Sequence, residues 1–257
     1  MIINFLKRRL APEWKTGMRR SDDWAGAIVA SLKPATLLDV GCGDGSKLLQ
    51  YLNYTPILLC GVEASPSHKI EAEKRGFQVS SFDLNGRWPF PDNSFDVVHC
   101  AYLIEHLHNT RLFVTETFRV LKPGGTAVMT SENLCSLLNL GAMSLGYTPF
   151  TLINCCGWFL GNPLGLYANE SHPEFVPIDH PAFAGVVGHI RALSVPQAKE
   201  LFEKVGFKAE VSSLGLLPLP GWVGKLFERW CYRRGHFLMI KATKPVEKSA
   251  TISNLVL

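Results

Sequence analysis

The chain has 257 residues with 47% apolar and 19% charged side chains, enough for a large core and too apolar for global disorder. Its net charge of +4 is mild, which argues against a nucleic-acid binder, whose basic residues would be more numerous and more clustered. Seven cysteines, an odd number scattered mostly through apolar runs with no zinc-knuckle spacing, point to a reduced, cytoplasmic setting.

Residues 1–20 carry six basic side chains against the single acid Glu13, so a basic N-terminal arm is expected, solvated and packing over the domain or resting on an anionic membrane surface. No apolar stretch followed by small residues suggests a cleaved signal. A helix is predicted from Ser21 to Leu32, with Ser21-Asp22-Asp23 as its cap and Trp24, Ile28, Val29 and Leu32 on one stripe. The apolar run from Leu37 reads as a buried strand that breaks into Asp39-Val40-Gly41-Cys42-Gly43-Asp44-Gly45, before a helical segment at 47–53. Strand, glycine turn and helix make a corner suited to a polar ligand, because glycine lets the backbone approach closely and the helix start offers N–H groups.

A second strand is predicted over 57–62, ending in Glu63, and a helix from Pro66 to Arg75. A third strand, 77–82, ends in Asp83-Leu84; a fourth, 95–100, runs into Ala101-Tyr102-Leu103-Ile104-Glu105-His106-Leu107. A helix over 110–121, the turn Lys122-Pro123-Gly124-Gly125 and a fifth strand, 126–130, follow. Strands alternating with helices imply an α/β fold with a parallel sheet and right-handed crossovers. From Asn133 to Asn169 no residue is charged, yet glycines and prolines interrupt the stretch too often for a membrane span. The expectation is an apolar insertion (132–188) acting as a lid, a membrane-dipping surface or a dimer interface. After it come Gly188-His189-Ile190-Arg191, a helix over 195–205 and two final strands, 208–214 and 236–243, joined by a basic helical link; 246–257 reads as a tail.

Acids at the ends of successive strands fall where a nucleoside needs them: Glu63 for ribose hydroxyls about 20 residues after the glycine turn, Asp83 for an adenine amino group. A nicotinamide or flavin site would read Gly-x-Gly-x-x-Gly; here the third glycine comes one position earlier. At this point the chain resembles the class I S-adenosylmethionine-dependent methyltransferases. Asp39 to Gly45 looks like their glycine signature, Glu63 like their ribose acid, and Asp83-Leu84 like their adenine contact. Phe95-Asp96-Val97-Val98 through Leu107 resembles their fourth strand and its turn, and Leu121 to Gly125 the turn before their fifth. The resemblance covers roughly 21–131 and 189–243.

It implies a Rossmann-like, seven-stranded, mostly parallel sheet with helices on both faces, in which the last strand is antiparallel and lies between the fifth and sixth. It implies a methyltransferase domain over 21–245 and S-adenosylmethionine as cofactor. The cofactor site would comprise Asp39, Gly41, Cys42, Gly43, Asp44, Gly45, Glu63, Asp83, Leu84, Ala101 and Tyr102, with Asp39 or Asp44 near the methionine ammonium. The insertion and the 188–194 segment are similar to a bacterial subset associated with cell-surface glycan or lipid pathways. The acceptor is then a small molecule, glycan or lipid-linked compound, methylated on oxygen; a protein or RNA methyltransferase, or a non-catalytic cofactor-binding partner, is the alternative.

A hydroxyl acceptor benefits from a base, and His106 is best placed for it. Its bland alternative is a histidine that only packs or caps. His189 and Arg191 are candidate substrate contacts, against a loop held by ordinary hydrogen bonds. His99 reads as a buried structural residue, His172, Asp179 and His180 stay unassigned, and no cluster has metal-ligand spacing.

Overall fold

In the computed structural model, residues 2–152 and 189–246 are described, with side chains from residue 8 onward. The predicted lid beyond 152, with Cys155, Cys156, His172, Asp179 and His180, and the tail from 247 lie outside the described residues.

The chain opens with a 31-residue helix, α1 (Ile2–Leu32). This corrects the expected division into an arm and a helix capped at Ser21. Ser21 is buried inside α1, and its hydroxyl donates to the Met18 carbonyl one turn back at 2.7 Å. Leu10 and Trp14 hold the first half of the helix on the body, buried in a cluster with Leu214, Leu217 and Phe237. Trp14 meets the Phe237 ring edge-on at 5.4 Å. Gly17 allows the approach, because a Cβ there would sit 2.4 Å from the same ring. Pro12 lies inside α1, where it removes one helical hydrogen bond; the apolar contacts on either side offset that loss.

After α1 come β1 (Thr36–Val40), the short α2 (Ser46–Leu49), β2 (Leu58–Val62), α3 (Pro66–Lys74), β3 (Gln78–Ser80) and β4 (Phe95–Ala101). A 3₁₀ turn (Ile104–His106), α4 (Thr110–Val120), β5 (Leu121–Glu132) and α5 (Leu137–Ser144) follow. The described chain then resumes with α6 (Val195–Val205), β6 (Lys208–Leu214), α7 (Gly221–Phe227) and β7 (Phe237–Thr243).

The seven strands lie in the order β3-β2-β1-β4-β5-β7-β6. The first five are parallel, while β7 runs antiparallel to both β5 and β6. This is the predicted arrangement. The central strands are nearly wholly apolar because both sheet faces are covered: Leu38, Val98 and Ala127 pack in one cluster with α4 and α6, Leu37, Val97 and Val128 in another with α1. Helix α6 is fixed by a capping box in which Ser194 and Gln197 satisfy each other's main-chain N–H groups. The register puts Gly41, Glu63, Tyr102 and Asn133, each following a parallel strand, along one carboxyl edge.

Candidate active site at the carboxyl edge of the sheet

The glycine turn closes on β2. Gly41 and Cys42 both donate main-chain N–H to the Val62 carbonyl, at 2.8 and 3.1 Å. Gly41, Gly43 and Gly45 all take positive φ (76°, 55° and 80°), which glycine adopts without penalty. Their neighbours differ. A Cβ on Gly45 would strike the Phe77 ring at 2.6 Å, so this glycine serves packing; on Gly43 it would meet no described atom within 4 Å. The open backbone that a ligand can approach is thus at Gly43.

Glu63 joins the turn to the next strand end. Its Oε2 accepts from Gly43 N–H at 2.9 Å and its Oε1 from Ser65 N–H at 2.8 Å. Those two bonds hold the half-buried carboxylate in place and leave each oxygen a lone pair for a hydroxyl donor. Asp83 is exposed at the end of the segment after β3, and its Oδ1 accepts from the Asn85 main chain and amide at 2.9 and 3.0 Å. Leu84 packs partly buried on the core beside it.

The two acids expected near an ammonium are both engaged elsewhere. Asp39 points into the sheet, where its Oδ1 lies 2.7 Å from His99 Nδ1 across the β1–β4 pair, both residues buried. His99 is thus buried inside the sheet, the placement expected for it. Asp44 accepts from Ser46 N–H and hydroxyl at 3.0 and 2.7 Å and pairs with Arg75 at 3.2 Å. These bonds with Ser46 hold its carboxyl below the ordinary range. Cys42 is buried, and burial pushes its thiol pKa up, so it is an inert packing group.

Past β4, Tyr102 holds a left-handed backbone (φ 52°) that turns the chain out of the sheet. Its hydroxyl bonds to Ser21 of α1, and the Lys47 ammonium sits 5.1 Å over its ring. The Tyr102 side chain therefore faces α1, and the Ala101–Tyr102 backbone is what remains to face a ligand.

The fold assembles a polar group that linear spacing did not reveal. Glu105 is only 3% exposed, and its Oε2 accepts from the Ser131 hydroxyl at 2.9 Å. Its Oε1 is buried with no hydrogen-bond partner among the described residues. The Glu105 carbonyl accepts from Ile190 and Arg191 N–H, at 2.8 and 3.2 Å, stitching the returning chain to the turn after β4. That return brings His189 edge-on to His106, ring centres 4.8 Å apart.

His189 Nδ1 donates to the Thr151 carbonyl at 2.7 Å and lies 3.5 Å from buried Glu132. Burial pushes the Glu105 carboxyl up to about 7, with His189 opposing and Glu132 reinforcing the shift. Burial by itself would lower His189; its hydrogen bond and attraction to Glu132, with help from Glu105, prevail and raise it to about 9. One ligand atom each from Glu105, His106 and His189 falls within a mutual 4.8 Å, a set that could hold a cation. The absence of metal-type spacing along the chain therefore did not carry over into space. Glu132 could have been found by the rule that located Glu63 and Asp83, as an acid ending a parallel strand. Glu105 stood inside an apolar run, with no pattern to mark it.

Arg191 gives its side-chain N–H groups to the Leu107 carbonyl, at 3.2 Å, and to the His108 carbonyl. It pins the loop after β4 from an exposed position. A cavity of about 700 Å³ between Trp24 of α1, α6 and the outer strands shares no residue with this edge.

Residues 38–129 match a family model described as a methyltransferase domain. The chain matches that model over this stretch, well under half of its length. The stretch spans the glycine turn, Glu63, Asp83 and the turn holding Glu105 and His106. Among curated proteins, it is similar to an ajmaline N-methyltransferase of Rauvolfia serpentina, 36% identical over 107 residues, 39% of this chain and 37% of that one. It is also similar to a demethylmenaquinone methyltransferase of Tropheryma whipplei, 35% identical over 96 residues, 36% of this chain and 40% of that one. The matches thus span well under half the length of either relative. An S-adenosylmethionine-dependent methyltransferase structure from Mesorhizobium loti superposes with a TM-score of 0.52 at 17% identity, covering 81% of this chain and 90% of that one. The chain shares the fold of that structure.

Proposed function

We propose that the chain transfers the methyl group of S-adenosylmethionine to an oxygen of a small-molecule, glycan or lipid-linked acceptor. One observation carries the reading: the open Gly43 backbone, the carboxylate of Glu63 fixed on it and the Glu105–His106–His189 group all line one sheet edge. The cofactor suits these residues. Glu63 offers two lone pairs to the ribose hydroxyls, Asp83 and Leu84 lie where the adenine would rest, and Gly43 leaves room for the methionine part. When bound, the cofactor supplies a methyl already activated on a sulfonium, so the protein's main task is to orient the acceptor.

His106 is the group we assign to take the acceptor proton. It is half-buried and meets the His189 ring edge-on at 4.8 Å, next to the strand end that carries Glu132. His189 lines the acceptor side, and Arg191 holds the loop that shapes it. The uncharged stretch entering the insertion, with α5 exposing Leu140 and Met143, favours an acceptor with an apolar part, as in cell-surface lipid or glycan intermediates.

Calorimetric titration with S-adenosylhomocysteine and with NAD tests the cofactor assignment: the former should bind and the latter should not. Well-folded protein that ignores S-adenosylhomocysteine would overturn it. Labelled methyl transfer into a cell extract, split into lipid, glycan and soluble fractions, then locates the acceptor. His106→Ala should slow that transfer with S-adenosylhomocysteine affinity unchanged; undiminished turnover refutes the base role.

A further inference from the structure

The link between β6 and β7 emerges at the same edge as the site, since Leu214 pairs with Phe237 and Phe237 with Glu132 at the end of β5. It holds α7 and the turns after it. Trp222, Leu226 and Trp230, spaced by four, are 72%, 62% and 74% exposed. Lys225, Arg229 and Arg233 repeat at the same spacing and are exposed as well. Trp222, Lys225 and Leu226 lie on α7 itself, and Arg229, Trp230 and Arg233 on the turns that follow it, so apolar and cationic side chains alternate along one exposed link.

The one acid in the segment, Glu228, is turned inward. It makes a two-pronged bond to Arg20 of α1, at 2.8 and 2.6 Å, and accepts from Gly215 N–H at 2.9 Å. The neighbouring half of α1 adds exposed Arg8, Arg9 and Lys15. No described helix is long and apolar enough to cross a membrane, so the pattern is one for lying on a surface.

We propose that α7 and the chain to Arg233 form a docking surface for an anionic lipid bilayer. Two exposed tryptophans among exposed cations match the level of lipid headgroups, where an indole sits half in the acyl boundary and lysine or arginine meets phosphate. The charge chooses the occupant: with Glu228 bonded to Arg20, the exposed cations of α7, its following turns and α1 outnumber the one neighbouring acid, Glu13 beside Gly221, and complement an anionic leaflet. Docking there would set the carboxyl edge of the sheet against the bilayer, within reach of an acceptor held in lipid. That consequence rests on the methyl-transfer reading; the docking does not.

The full chain should pellet with vesicles of phosphatidylcholine mixed with phosphatidylglycerol, not with phosphatidylcholine alone, and high salt should weaken the binding. Tryptophan emission should shift to the blue and be quenched by brominated lipid. A Trp222→Ser/Trp230→Ser double variant and a Lys225→Glu/Arg229→Glu double variant should each bind roughly tenfold or more weakly. All these positions are exposed, so unchanged thermal melting certifies the fold. No pelleting with phosphatidylglycerol vesicles, or pelleting untouched by both variants, overturns the proposal. So does self-association that the tryptophan variant abolishes in the absence of vesicle binding, since the face would then belong to a second copy. Failure to bind S-adenosylhomocysteine would instead remove the methyl-transfer reading and leave this result standing.

Discussion

Glu63 accepts two main-chain N–H groups through different oxygens, so its carboxylate is already oriented before any ligand arrives. Glu63→Ala removes that acceptor, and S-adenosylhomocysteine binding measured by calorimetry should fall by about 1–3 kcal/mol. Unchanged affinity would take Glu63 out of the site. The residue was legible in the sequence because it ends an apolar strand at a fixed distance from the glycine turn. Asp39 was legible as part of the same signature, but its role was not. A side chain alternates faces along a strand, and only the pairing with His99 on β4 shows which way Asp39 points. The Glu105–His106–His189 group was hidden for a further reason: over 80 residues separate His189 from the adjacent Glu105 and His106, and a main-chain bond from Ile190 to Glu105 closes the gap.

At the scale of elements, strand positions were read well and the first helix was not. Buried parallel strands are short apolar runs between glycines, prolines and acids, which one chain displays plainly. In α1, by contrast, Ser21-Asp22-Asp23 looks like a helix start and Pro12 like a breaker. The tertiary contacts of Leu10 and Trp14 with Leu214 and Phe237 override both signals. Trp14→Ala is expected to cost about 3–5 kcal/mol in a urea titration, the range for removing a buried tryptophan. A loss near zero would mean that this half of the helix is dispensable.

Over the whole molecule, pH dependence follows from a histidine far from the glycine turn. His236 is fully buried between Trp14 and Phe237, with ring centres at 4.2 and 5.3 Å, and burial lowers its pKa from 6.5 to about 4. Above pH 6.5 the ring is neutral in both folded and unfolded chains, and its contribution to stability is complete. As pH falls below 6.5 the unfolded chain takes up the proton first, so stability drops until about pH 4, where the folded ring also titrates. The total is on the order of 3 kcal/mol. Glu105, raised to about 7, gains stability over the same fall in pH, so the His236 part is read as a difference. In thermal melting between roughly pH 7.5 and 4.5, His236→Asn should lose less stability than the native chain, or gain more. An identical slope in the variant would assign the effect to other groups.

The sequence by itself determined the strand series, the corner made by Gly41, Gly43 and Gly45, and the acids at strand ends, hence the fold class and the kind of cofactor. These are local features: a turn needs glycine where it stands, and a buried strand needs apolar neighbours in line. The tertiary structure decided which acids face the site, that His106 and His189 meet beside a buried Glu105, and that the first 20 residues belong to a packed helix. It also decided that Glu228 turns inward and leaves α7 and its following turns with exposed tryptophans and cations. Each of these depends on partners distant in the chain, whose meeting is set by sheet register and helix packing and not by any neighbouring residue.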